Sequence, residues 1–181
     1  KSGEKMTLLD GKEIEPHADA VLICNSNEPI ALGGVMGGGN SEIDANTKRI
    51  VLECATFDMY NIRRTSMTHG IFTDAVTRFT KGQPLAQLPA VLAQAVRMLK
   101  EVSCAHVVGA PVDVASKQAK PTEEDAYIEI SAKFINDRLG SKLTEDEIVR
   151  LLNNVEFKAH KASGLISVTA PFWRTDIEIP E

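Results

Sequence analysis

Aromatic side chains make up only 5% of this 181-residue chain, so its packing has to rest on aliphatic residues. No apolar run approaches the roughly 18–20 residues that a membrane-spanning helix needs, and no membrane partner is expected. The opening Lys1-Ser2-Gly3-Glu4-Lys5 lacks the charged-then-apolar plan of a signal peptide. Three cysteines, Cys24, Cys54 and Cys104, are odd in number and widely spaced, without a C-x-x-C pair. That argues against a disulfide framework or a zinc site and fits a reducing cytoplasm, with each thiol acting as a small buried hydrophobe. What is present is ordinary for a globular protein: 43% hydrophobic and 25% charged residues. The charge is uneven. Residues 1–120 hold 13 basic and 13 acidic side chains, whereas residues 121–181 hold 7 and 12, the whole net charge of −5. An acidic C-terminal part is poorly suited to gripping phosphates, and DNA is not an expected partner.

Turn chemistry divides the first part into short strands. Asp10-Gly11 separates Met6–Leu9 from Glu13–Ile14 as a hairpin turn. Asn25-Ser26-Asn27-Glu28-Pro29 separates Ala20–Cys24 from Ile30–Leu32. A strand is expected over Arg49–Ala55. A helix follows from Asp58, its cap, to His69, with Gly70 ending it. Residues 71–81 have mixed character. Leu88, Val91, Leu92, Ala95, Val96, Leu99 and Val102 mark a long amphipathic helix, and Val107–Val114 reads as a closing strand. The polar stretch Ser116–Asp125, broken by Pro121, reads as a linker. Beyond it come a strand at Tyr127–Ile130, a helix capped by Ser131 and stopped by Gly140, and a helix opened by the Thr144/Glu147 capping box. A hairpin turning at Ser163-Gly164 completes a winged-helix-like order. The fold class expected is α+β: a strand-rich domain over residues 1–115, a linker at 116–120, and a small winged-helix-like domain over 121–181.

The cluster Gly33-Gly34-Val35-Met36-Gly37-Gly38-Gly39 has two readings. Glycines let backbone amides converge on a phosphate, but no Lys-Ser/Thr follows them and no helix starts there. The other reading is a backbone that lies close to a strand or a ligand. Glu53 shares a strand face with Val51 and Ala55, and so faces either solvent or a pocket. Ser66, His69 and Asp74 could form a nucleophile, base and orienter, or simply end a helix. Arg63, Arg64, Arg78 and Lys81 are either a solvated face or an RNA contact.

Several strings in register resemble a known family. Leu32-Gly33-Gly34-Val35-Met36-Gly37-Gly38 and Ile50-Val51-Leu52-Glu53-Cys54-Ala55-Thr56-Phe57 are similar to bacterial phenylalanyl-tRNA synthetase beta subunits. So are Ile62-Arg63-Arg64-Thr65-Ser66, Gly70-Ile71-Phe72-Thr73-Asp74-Ala75 and Arg78-Phe79-Thr80-Lys81-Gly82. The tail Pro171-Phe172-Trp173-Arg174-Thr175-Asp176-Ile177-Glu178-Ile179 resembles the next domain of those subunits, so the likeness covers nearly the whole chain. The resemblance implies a domain that hydrolyses tyrosyl-tRNA(Phe) made in error. It places Gly37 and Ala75 in the amino-acid pocket, Glu53 at the tyrosyl hydroxyl, and Thr73 beside the ester or amino group. No protein base for the attacking water is implied, and no catalytic residue is named with certainty. Arg63, Arg64, Arg78 and Lys81 become candidates for contact with RNA, although Met67 stands where the family often has arginine. Asp176 matches a position that joins a magnesium site in the full alpha2beta2 heterotetramer. In that enzyme ATP, Mg2+, tRNA(Phe) and the alpha subunit are expected; in this stretch alone no cofactor is. The family's pocket also draws on a histidine and an asparagine preceding this stretch, and its metal site on acidic residues following it. The 181 residues alone are therefore expected to be inactive. The rival reading is a non-catalytic RNA- or protein-binding module related to the same fold.

Overall fold

The computed structural model describes residues 3–116 and 127–177. The expected linker at 116–120 lies outside those residues apart from Ser116, as do most of Ser116–Asp125 and the last two residues of the Pro171–Ile179 string. The chain forms two compact units, residues 1–83 and 84–181. Both helices and antiparallel sheets are present, so the fold is α+β.

The first unit begins with the hairpin β1 (Met6–Thr7) and β2 (Glu13–Ile14). Gly11 turns it at φ +83°, a conformation that costs glycine little. A second sheet contains β3 (Leu22–Cys24), β4 (Pro29–Leu32) and β5 (Met36–Gly37), all antiparallel. The Asn25 side chain makes the β3–β4 turn by accepting from the Asn27 and Glu28 amides at 2.8 and 2.9 Å. The amide of Leu9 donates to the Gly37 carbonyl at 3.0 Å and ties the first hairpin to β5. Helix α1 (Met59–His69) starts where the Asp58 carboxylate accepts from the Asn61 amide, and ends where Gly70 adopts φ +61°. Residues 71–81, ambiguous in sequence, contain a second short helix, α2 (Asp74–Phe79). Leu8, Leu32, Val35, Ile62, Ile71 and Val76 bury their side chains together and join both hairpins to both helices. Each such side chain contributes about 1.5–3 kcal/mol by leaving water.

Helix α3 (Leu88–Ser103) opens the second unit, with Pro89 in its first turn, where a missing N–H costs nothing. A small sheet follows, ordered β6 (Ile128–Ile130), β8 (Leu165–Thr169) and β7 (Lys158–Ala162), with helices α4 (Ala132–Leu139) and α5 (Glu145–Asn154) between β6 and β7. The Ser131 cap, the Gly140 stop and the reciprocal Thr144/Glu147 capping box are all formed. Ile148, Ile166 and Val168 centre this core.

Three expectations are overturned. Arg49–Ala55 forms no strand: Ile50, Val51 and Leu52 are all exposed, Val51 at 96%, and no described segment pairs with them. Val107–Val114 is likewise unpaired and exposed. A sequence with strand character becomes a strand only when a neighbour accepts and donates its backbone hydrogen bonds. Cys24 and Cys104 are exposed rather than buried, and Cys104 is the C-cap of α3 with φ +53°.

Candidate functional site

The glycine cluster makes the tight turn between β4 and β5. Gly34 has φ +68°, and a Cβ there would lie 2.8 Å from side-chain carbons of both Ile62 and Phe57. At Gly38 a Cβ would lie 2.7 Å from the Ile30 carbonyl oxygen. The Gly33, Val35 and Gly38 amides donate to the carbonyls of Val21, Leu32 and Ile30 at 2.8–3.0 Å. The glycines thus serve close packing of backbone on core, and these three amides are not free to converge on a phosphate.

Helix α2 is fastened to this turn by one side chain. The Thr73 hydroxyl donates to the Val35 carbonyl at 2.8 Å and accepts from the Val76 amide at 3.1 Å, capping α2 as it does so. Gly37 lies two residues beyond Val35 on β5, and Ala75 two residues beyond Thr73 on α2. The tie therefore couples the elements that carry both small residues. A Cβ on Gly37 would lie 3.0 Å from Leu9 Cδ1. Ala75 is half-buried.

Glu53 sits in the irregular segment before α1, exposed as a residue. Partial burial nonetheless holds its carboxyl above the ordinary pKa. Surface exposure governs the placement: the carboxylate stands at an open surface, and no hydrogen bond or ion pair joins it to Gly37, Thr73 or Ala75.

The end of α1 is a polar cluster of a different kind. Ser66 is buried, and its hydroxyl donates to the Ile71 carbonyl at 2.6 Å. A serine spent on closing a helix is not a nucleophile, and no hydrogen bond links Ser66, His69 and Asp74. The His69 ring stacks on His17 with centroids 5.8 Å apart, and His17 Nε2 lies 3.0 Å from the Thr65 hydroxyl. Lys12 Nζ donates to the His69 carbonyl. His69 Nε2 is buried without a partner. Burial, then the neighbouring His17 and Lys12, push the His69 pKa down. Its native state therefore favours the neutral ring. That contribution is complete above the ordinary histidine value of about 6.5 and is lost as pH falls through the lowered folded value. Thermal melts between pH 7.5 and 5 should show the wild-type midpoint falling more steeply than that of His69→Gln. Parallel slopes would mean that His69 does not carry the acid sensitivity.

The four cations separate. Arg64 pairs with Asp19 at 3.3 Å across the surface. Arg63 is exposed on α1. Arg78 and Lys81 line a cavity of about 280 Å³ with Asp74, Thr77 and Gln83.

Residues 1–104 match the B3/4 domain family, and residues 128–181 match the tRNA synthetase B5 domain. The chain is 35% identical over 179 residues to the phenylalanine–tRNA ligase beta subunit of Latilactobacillus sakei, covering 99% of this chain and 22% of that protein. It is 34% identical over its full length to the beta subunit of Halalkalibacterium halodurans and 31% identical to that of Pectobacterium atrosepticum, again covering 22% of each relative. The chain belongs to the phenylalanyl-tRNA synthetase beta-subunit family. It spans 22% of the length of those relatives.

In terms of the family's domains, Gly37, Glu53, Thr73, Ala75 and the four cations all fall in the B3/4 stretch, and Asp176 falls in the B5 stretch. Asp176 accepts two hydrogen bonds from Arg174, at 2.8 and 2.9 Å, which lowers its pKa. Among the described residues no three His, Cys, Asp or Glu side chains come together. Among the described residues, Asp176 with its partner Arg174 does not by itself make up the ligand set of a magnesium ion. Among the described residues no helix is long and apolar enough to cross a membrane. Sequence reasoning missed the double role of Thr73 as cap and tie, although a threonine three residues before a core valine is a legible cap signal. It also missed the His17–His69 stack, whose partners lie 52 positions apart with no pattern to link them.

Proposed function

We propose that the B3/4 stretch of this chain forms part of an editing domain that hydrolyses tyrosyl-tRNA(Phe). The enzyme in question would be a cytoplasmic phenylalanine–tRNA ligase of alpha and beta subunits that uses ATP and Mg2+. The observation that carries this reading is the Thr73–Val35 hydrogen bond within the B3/4 match, since it fastens the element bearing Ala75 to the turn bearing Gly37. Small residues on two coupled elements leave room for an aromatic ring, with Thr73 beside the ester. The chemistry requires such a second site. Tyrosine differs from phenylalanine by one hydroxyl, which an apolar synthetic pocket rejects only modestly, whereas a site demanding the hydroxyl discriminates by roughly 10⁴ or more. Glu53 supplies the acceptor. Water adds to the ester carbonyl and the ribose oxygen leaves with a proton; no side chain here is assigned as the base.

The B5 stretch, beginning beyond residue 120, is read as a structural module that does not bind DNA. Residues 121–181 carry a net charge of −5, which repels phosphates, and three of their seven cations are paired: Lys133 with Asp137, Lys161 with Asp146 and Arg174 with Asp176. The exposure of Glu53 on a segment without regular structure favours a second reading, a non-catalytic RNA- or protein-binding module. The same exposure implies that the 181 residues alone do not hold the site in working order.

Glu53→Ala in the full-length beta subunit, assembled with its alpha subunit, tests the proposal. A charge-assisted hydrogen bond is worth roughly 1.5–3 kcal/mol, so tyrosyl-tRNA hydrolysis should slow by about 10–100-fold. Discrimination against phenylalanyl-tRNA should narrow as well, because phenylalanine offers the carboxylate no donor. Unchanged rates for both substrates in a folded variant would return Glu53 to a solvent-facing role and support the binding-module reading.

A further inference from the structure

We propose that Thr56 and Phe57 are positioning residues for the Glu53 carboxylate, a role that rests on the editing reading for what Glu53 contacts. They clamp the segment carrying Glu53 to α2 and to the glycine turn, and so set how strongly the site demands a tyrosyl hydroxyl. Residues 49–57 have no regular structure, so no strand register places Glu53. Its position is set instead by where the segment is fastened. Three residues of chain reach at most about 10 Å, so whatever fixes Thr56 bounds where Glu53 stands.

Two adjacent side chains do the fastening, and both are half-buried. The Thr56 hydroxyl donates to the Gln83 carbonyl at 3.1 Å, across 27 positions of sequence. The Gln83 side chain in turn donates to the Arg78 carbonyl at 2.9 Å, which ties this contact to the end of α2. The Phe57 ring meets Phe79, the last residue of α2, edge to face with centroids 5.1 Å apart. The same ring lies against the glycine turn. A Cβ at Gly33 would be 3.1 Å from Phe57 Cε1, and one at Gly34 would be 2.8 Å from Phe57 Cδ2.

These contacts close a circuit. At its start α2 is tied to the β4–β5 turn by Thr73; its end and that turn hold the Glu53 segment through Thr56 and Phe57. The elements bearing Gly37, Ala75 and Glu53 are thus fixed to one another. Neither Thr56 nor Phe57 has to touch the substrate, because each acts through Glu53.

The test compares Thr56→Val, which keeps the branched shape and loses the donor, with Thr56→Ser, which keeps the donor. In the full-length beta subunit assembled with its alpha subunit, Thr56→Val should slow tyrosyl-tRNA hydrolysis about 3–10-fold, the scale of one hydrogen bond. Phenylalanyl-tRNA hydrolysis should stay within about twofold, so that discrimination narrows, and Thr56→Ser should restore it. Phe57→Leu should narrow discrimination in the same direction. In a Glu53→Ala background Thr56→Val should change neither rate further, because the hydroxyl acts through the carboxylate. The clamp also has a readout without tRNA. Cys54, half-buried beside Glu53, reports on the segment in the 181-residue chain carrying Cys24→Ser and Cys104→Ser. Thr56→Val should speed its reaction with an aromatic disulfide reagent about threefold or more. Unchanged Cys54 labelling would overturn the clamp. An equal fall for both substrates, or an effect of Thr56→Val that persists without Glu53, would reduce Thr56 to a structural residue. Glu53-dependent clearance with unchanged discrimination in Thr56→Val would remove the positioning role alone. Faster Cys54 labelling, with no tyrosyl-tRNA clearance by the wild-type enzyme, would remove the editing reading and leave the clamp standing.

Discussion

Gly34→Ala should cost residues 1–83 about 2–5 kcal/mol, a large part of the stability of a small domain. Two costs combine. The backbone at Gly34 has φ +68°, which an L-residue occupies at a penalty of roughly 1–2 kcal/mol. The new methyl would also lie 2.8 Å from Ile62 Cδ1 and Phe57 Cδ2, inside a packed core, and overpacking adds about 1–3 kcal/mol. Gly11 isolates the first cost. It has φ +83° with nothing within 4 Å of an added Cβ, so Gly11→Ala should lose only about 1–2 kcal/mol. Urea unfolding of the two variants beside the wild type measures the difference. Equal losses would show that Ile62 and Phe57 move aside freely, and that the β4–β5 turn is not held against α1 as described.

Ala75→Trp should slow clearance of tyrosyl-tRNA by about 100-fold in the full-length enzyme and leave phenylalanine charging within about twofold. On the proposed function the indole fills the space meant for the tyrosyl ring, and a formed pocket relieves such overpacking only at about 1–3 kcal/mol or more. Ala75 is the better position for this test than Gly37. A side chain at Gly37 first presses on Leu9, which would mix a packing defect with pocket closure. Ala75 is only half-buried on a capped helix, so the fold should survive the change. Tyrosyl-tRNA cleared at the wild-type rate by a folded Ala75→Trp enzyme would take Ala75 out of the pocket.

What could be read from the sequence was local. Asp58, Ser131 and Thr144 each cap a helix because a short polar side chain reaches an amide three residues on, whatever surrounds it. Gly70 and Gly140 end helices, and Gly11 and Gly164 turn hairpins, because only glycine enters positive φ at little cost. The family, too, was legible, because its motifs run in order along the chain. The site was legible only as a set of positions. Nothing in the spacing of Val35 and Thr73 says that a hydroxyl bridges them, since the bond depends on how a helix meets a hairpin 38 residues away. The separation of Arg64, paired with Asp19, from Arg78 and Lys81, which share a cavity, has the same origin.

The segments that do not become strands show the boundary between the two kinds of information. Arg49–Ala55 and Val107–Val114 have the composition of strands, and by composition alone they are strands. A strand's backbone hydrogen bonds are made with another segment, so its existence is a property of the pair and not of the residues. Caps, turns and helix periodicity were thus determined by the sequence itself, through forces acting over three or four residues, and the family by motifs running in order along the chain. Which strands pair, which glycines touch the core, which cations remain free and where Glu53 stands were decided only by the tertiary structure, because each depends on what the folded chain brings alongside.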